Sequence, residues 1–277
     1  MSPAYLDCVL AFDTRIANPA SNTSGFRSEQ TLSPTISQTI SIPELKRSGR
    51  QYQLCYNLKT VTQIQQPSRR VDHDESKTWL ISQAAIHHQF DIKEAVATWI
   101  VTNSISKDSE LIIDALMRKN QRHDDQEYGS PHTCFISSLS THLLFLNWAE
   151  ENWRWYLNHL EAKVEADLSL GMRQALTVLD MPDASDNVLQ FQGIEDEVKT
   201  ATTILQSNKN VMESLARFYK SLLEEEEFPG ALKTQCRTSI LAFGRQVKNT
   251  IHQTRIHMGK TRNIEHICHD RRLMVCG

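Results

Sequence analysis

The sequence predicts an α+β fold that is mainly α: a small β-containing N-terminal layer, then long helices ending in an antiparallel, coiled-coil-like helical hairpin. Three observations predict it. Glycine and proline are scarce, 9 and 8 among 277 residues, which favours helices over a turn-rich β fold. Strand-like patterning falls between residues 51 and 101. Beyond Ser104 the apolar residues recur by threes and fours, the spacing of a helix face.

Residues 14–42 are rich in Ser, Thr, Asn, Gln and Pro, and Asn18-Pro-Ala-Ser-Asn-Thr-Ser-Gly25 reads as loop. Residues 1–48 are accordingly expected as a low-complexity, poorly ordered segment. An α/β layer is expected over 49–130. Within it, Gln51-Tyr-Gln-Leu-Cys-Tyr-Asn-Leu58 alternates apolar with polar residues, as a half-buried strand does. After the polar stretch Gln63–Ser76, strands are expected over 78–86 and 96–101, linked by Phe90–Glu94, with helix a rival for the first. A short helix follows over Leu111–Gln121, then the acidic loop Arg122–Glu127 and Gly129-Ser-Pro131.

Residues 131–277 are expected as a long-helix bundle or stalk. Apolar positions 139, 143, 146, 153, 157, 160, 164 and 168 trace one long helix with a gap at Glu150, ended before Pro182. Ile194, Val198, Ala201, Leu205, Asn208, Met212, Leu215, Tyr219 and Leu222 fit a heptad seam, in which a buried Asn208 costs stability but can set register. Glu224–Glu227 and Pro229-Gly230 form the turn. From Ala231 a last helix carries Ile240, Phe243, Val247, Thr250, Thr254, His257, Thr261, Ile264 and Cys268 on the matching seam.

Composition excludes several function classes. A net charge of −3 argues against a nucleic-acid surface and offers no polybasic membrane patch. The six cysteines form no C-x-x-C pair, and the N-terminus has no basic, apolar leader, so reduced thiols are expected. The best apolar run, His142-Leu-Leu-Phe-Leu-Asn-Trp-Ala149, falls far short of the roughly 18 residues of a membrane span, so no transmembrane helix is expected.

Candidate chemistry is sparse. Met258-Gly-Lys-Thr261 looks like the end of a phosphate loop, but Thr254 stands where that motif needs glycine. His87 and His88 face opposite ways on a strand, so joint metal binding is disfavoured. His266, His269 and Asp270 share a helix face, yet a closed zinc site needs four ligands; a solvated helix end is the favoured reading. His73-Asp-Glu75 and His123-Asp-Asp125 read as solvated loops rather than magnesium sites. Trp148, Trp153, Trp155 and Tyr156 read as packing residues, since only Arg154 interleaves with them. No catalytic set, Gly-rich nucleotide loop or cofactor-binding motif is read from the residues.

The segment Trp79-Leu-Ile-Ser-Gln-Ala-Ala-Ile-His-His-Gln-Phe-Asp91, followed by Trp99-Ile100, resembles the signature of the fungal CorA-like transporter domain family. There the stretch commonly reads close to Trp-Ser-Ile-Arg-Gln-Thr-Ala-Val-Tyr-His-Gln-Phe-Asp. Leu80, Ser82 and His87 depart from it. Asn152-Trp153-Arg154-Trp155-Tyr156-Leu157 and Arg217-Phe-Tyr-Lys-Ser-Leu222 are also similar, and the likeness covers residues 50–272. It implies the cytosolic domain of a CorA-like divalent-cation transporter. Magnesium is then the cation to expect, with ligand positions unassigned. The implied partner is a second copy of the chain, through helical seams. Trp79, Gln83, His88, Gln89, Phe90, Asp91, Trp99, Trp153 and Arg154 would be structural signature residues. The family's two membrane helices and Gly-Met-Asn motif are absent, Gly171-Met172-Arg173 being the nearest string. The expectation is therefore a truncated or degenerate relative, cytoplasmic as given and membrane-associated if the full-length protein carries those helices. Two rivals remain: a soluble helical scaffold without transport activity, and a metal-dependent enzyme using the histidine-rich segments.

Overall fold

The computed structural model describes residues 3–10, 25–33, 41–42, 44, 47–64, 78–103, 130–176 and 184–276. In order these form α1 (Pro3–Leu10), β1 (Phe26–Thr31), β2 (Gln51–Ile64), β3 (Thr78–Asp91), β4 (Val96–Asn103), α2 (Pro131–Glu150), α3 (Trp153–Leu176), α4 (Ala184–Ser221) and α5 (Gly230–Cys276). The α+β, mainly helical expectation holds. The expected helix over 111–121 and the loops at 73–75 and 123–125 lie outside the described residues.

The four strands make one sheet in the order β1-β2-β3-β4. β1 pairs antiparallel with β2, from Phe26 opposite Tyr56 to Thr31 opposite Gln51, and β3 pairs antiparallel with β4. Side-chain pairs His87–Gln53 and Gln89–Gln51 step in opposite directions along β3 and β2, so the inner pair is antiparallel too. The segment 78–86, for which helix is the rival reading, is strand: it lies in β3, whose residues from Ala84 onward pair with β4. It extends to Asp91, and Ile92–Ala95 make the turn into β4.

Two compact units divide the chain: Met1–Thr60, Ile81–Glu150 and Ser207–Ile251 in the first, and Val61–Leu80, Glu151–Gln206 and His252–Gly277 in the second. In the first, alternation sends Tyr52, Leu54, Tyr56 and Leu58 of β2 and Ala84, Ile86 and Phe90 of β3 into a core with α2 and parts of α4 and α5. The opposite face carries Cys55 and Ala85 against Ala4, Tyr5 and Cys8 of α1. With both faces covered, β2 is buried continuously from Leu54 to Val61. α1 and β1, drawn from the first 48 residues, both belong to this unit. The second unit has its own core: Trp153, Leu157, Leu160 and Val164 of α3, Ile194, Val198, Ala201 and Leu205 of α4, and Met258, Ile264 and Cys268 of α5.

Helix ends follow local chemistry. Ser130 caps α2: its Oγ accepts from Thr133 N at 3.2 Å, while Pro131 fills the first helical position, where no N–H is needed. The single long helix expected across the gap at Glu150 is two helices. α2 stops there, Asn152 turns left-handed at φ 66°, and its carbonyl accepts the first bond of α3 from Tyr156 N at 3.0 Å. Asparagine is among the few residues that adopt this region readily. All nine seam positions expected on α4 from Ile194 to Leu222 are buried. On α5, Ile240, Phe243, Val247, Thr254, Thr261, Ile264 and Cys268 are buried as expected, whereas Thr250 and His257 are half-buried.

Candidate functional site

The densest polar chemistry in the first unit is an aromatic–histidine centre. Three elements meet through it: Tyr56 from β2, His88 from β3 and His142 from α2. The Tyr56 hydroxyl lies 2.6 Å from His142 Nδ1, and His142 Nε2 lies 3.1 Å from His88 Nδ1. Both imidazoles are wholly buried. Trp99, opposite His88 in the β3–β4 register, stacks on it with centroids 4.0 Å apart. Tyr219 and Phe243 close the other side of His142, at 5.5 and 6.5 Å.

Burial in this apolar shell decides the charge states. It pushes the His142 imidazolium down to about 3, and that of His88 well below the usual histidine range, with His142 and His87 adding repulsion. Burial also raises the Tyr56 phenol far above its ordinary value. At neutral pH the three groups are therefore uncharged. His88 Nε2 is the one ring nitrogen of the pair without a hydrogen-bond partner. Such a network can fix the orientation of β2, β3 and α2. Tyr56, His88 and His142 are all wholly buried, so the network exposes no nucleophile, and among the described residues no group of three His, Cys, Asp or Glu side chains could hold a metal ion.

The structure gathers part of the expected signature around this centre. Phe90 lies between Tyr52 and Phe135, at 5.4 and 5.6 Å. Gln89 donates to Gln51 across the sheet, and Gln83 is buried. Asp91 staples two turns. Its carboxylate accepts from Ser48 N at 2.6 Å and Ser48 Oγ at 2.7 Å, just before Gly49 at φ 81°. It also accepts from Lys93 N and Glu94 N, each at 3.0 Å, ahead of Ala95 at φ 56°. The other signature residues belong to the second unit. There Trp79 packs on Tyr156 at 5.6 Å and Trp153 is completely buried. Arg154 instead places its guanidinium 5.8 Å from the ring centre of Trp155, which is 61% exposed.

The other motifs resolve simply. His87 faces away from His88, edge-on to Tyr5 at 5.7 Å and 3.4 Å from the Gln53 amide oxygen. His266 Nδ1 pairs with Asp270 at 2.9 Å on an exposed stretch of α5. Met258-Gly-Lys-Thr261 is helix interior: Met258 and Thr261 are buried, and Lys260 pairs with Glu161 at 2.8 Å.

Two arrangements escape sequence reasoning. His142 sits in an apolar run, and a lone histidine there is a signal that its ring has a buried partner. Asn208, expected to be costly on its seam, is fully satisfied. Its Oδ1 accepts from Lys59 N at 3.1 Å and its Nδ2 donates to Lys59 O at 2.7 Å. Since β1 ends opposite Tyr56, the edge of β2 is open by Lys59, and the Asn208 amide stands in for the missing strand.

Comparison with known proteins gives one family. The model described as CorA-like transporters matches residues 1–170. No curated protein matches the chain. Among the described residues, no helix is long and apolar enough to cross a membrane.

Proposed function

The chain belongs to the CorA-like transporter family, and from that premise we propose that it serves as the cytosolic domain of a magnesium transporter, assembled as a homo-oligomer and without enzymatic activity. The observation that carries this reading is the family match over residues 1–170, which takes in all four strands, α2 and most of α3. The uncharged aromatic–histidine centre suits a mechanical part better than a chemical one, because it braces three elements and is wholly buried. On this reading Trp79, Gln83, His88, Gln89, Phe90, Asp91, Trp99 and Trp153 hold the platform together, and Arg154 lies on its surface. Magnesium acts as cargo and as a bridge between subunit carboxylates, favouring a closed assembly.

The test has two arms. Light scattering of the purified chain, titrated with magnesium chloride against sodium chloride at matched ionic strength, is expected to show a larger symmetric oligomer only with magnesium. Expression of the native gene product in a host lacking magnesium uptake is expected to restore growth at low magnesium. A chain indifferent to magnesium in the first arm and inert in the second would overturn the proposal in favour of a helical scaffold without transport.

A further inference from the structure

The sheet face opposite the aromatic core carries two thiols. Cys55 of β2 and Cys8 of α1 belong to one small buried cluster with Ala4, Tyr5 and Ala85, and no disulfide joins them. α1 is anchored on this face by Tyr5, whose hydroxyl lies 2.6 Å from Thr102 Oγ1 and whose ring meets His87 edge-on at 5.7 Å. Cys8 follows Tyr5 by three residues and so shares its helix face. Arg27 acts electrostatically on the Cys8 thiol, and Arg27 is the direct partner of Cys55 in the β1–β2 ladder. Residues paired across an antiparallel ladder point to the same face. Cys8 and Cys55 are thus directed at one patch. The other buried cysteines lie elsewhere, Cys134 and Cys236 in the aromatic core and Cys268 in the second unit.

We propose that Cys8 and Cys55 are an oxidation-sensitive pair that closes to a disulfide and fastens α1 to β2. With hydrogen peroxide as oxidant, the Cys8 thiolate attacks one peroxide oxygen, the O–O bond breaks, and a sulfenic acid and hydroxide result. The Cys55 sulfur then attacks the sulfenic sulfur and gives up its proton, the S–S bond forms, and the departing hydroxide takes up a proton. Two thiols lose two electrons in total, and one peroxide becomes two waters. Access requires α1 to lift from the sheet, and a helix of only eight residues depends on that packing for its stability. Burial and the neighbouring Asp7 carboxylate raise the Cys8 thiol above its ordinary value, so closure should quicken as pH rises.

The full chain, treated with hydrogen peroxide, alkylated and digested without reductant, is expected to yield a linked peptide joining Cys8 and Cys55. Alkylatable thiols should fall from six to four and recover with dithiothreitol. Cys8→Ser and Cys55→Ala, each checked for fold by circular dichroism, should each abolish that peptide. The assignment is overturned if Cys8 ends only as sulfinic acid, or links to another cysteine or another chain. It is equally overturned if the Cys8–Cys55 peptide forms only after the protein has been unfolded.

Discussion

Replacing Asn208 by alanine removes both hydrogen bonds to the Lys59 backbone and leaves a buried N–H and a buried C=O without them. Each such group costs about 1–3 kcal/mol, so the variant should lose about 2–6 kcal/mol, a large share of a typical domain's stability. A second variant isolates the chemistry. In Asn208→Asp the protonated carboxyl can still accept from Lys59 N and donate to Lys59 O, whereas the ionised form turns an oxygen against that carbonyl. Burial raises the folded-state pKa of the introduced carboxyl above its unfolded value. Its stabilising contribution is therefore complete below the unfolded value, about 3.9, and is lost as pH rises through the folded one. Urea unfolding followed by tryptophan fluorescence at pH 4 and pH 8 measures both effects. An Asn208→Ala variant that unfolds within about 0.5 kcal/mol of the parent, the range of an ordinary surface change, would deny the amide this bracing role. So would an Asn208→Asp variant that tracks the parent's pH dependence.

His142 is held uncharged in the fold, at about 3 against an ordinary 6.5, so stability is complete above about pH 6.5 and should fall by up to about 1.4 kcal/mol per pH unit as pH drops toward 3. His142→Phe should flatten this acid limb in a urea series while costing about 2–4 kcal/mol at pH 8, because Tyr56 and His88 lose a buried partner. Asp91→Ala should cost about 3–5 kcal/mol by removing four hydrogen bonds at once, with Asp91→Asn milder in the same unfolding assay. Trp153→Ala should cost about 3–5 kcal/mol and Trp155→Ala less than about 0.5, since the first is fully buried and the second 61% exposed; melting curves of the two would separate them.

Period and punctuation made much of this fold legible in advance. The strands expected over 51–58, 78–86 and 96–101 fall within β2, β3 and β4, and the seam of α4 is buried position by position, whereas the one long helix expected over 139–168 breaks at Glu150, where the apolar spacing has its gap. β1 was not legible because Phe26-Arg-Ser-Glu-Gln-Thr31 has no apolar alternation. It is largely exposed, and its strand form depends on the ladder that β2 extends to it. The aromatic–histidine centre was not legible either. Its bonds join residues 86 and 54 positions apart, so their meeting depends on tertiary packing rather than local pattern. Asn208 stood out as a polar seam residue, but its partner lies 149 positions away, on a strand edge visible only once β1 is known to stop short.

Because the chain changes unit after residues 60, 80, 150, 206 and 251, neither unit is a continuous piece of gene. No single recombination point could transplant one without the other. Natural shuffling must therefore pass both on as a block, and a change that unfolds one also alters the strands and helices shared with its companion.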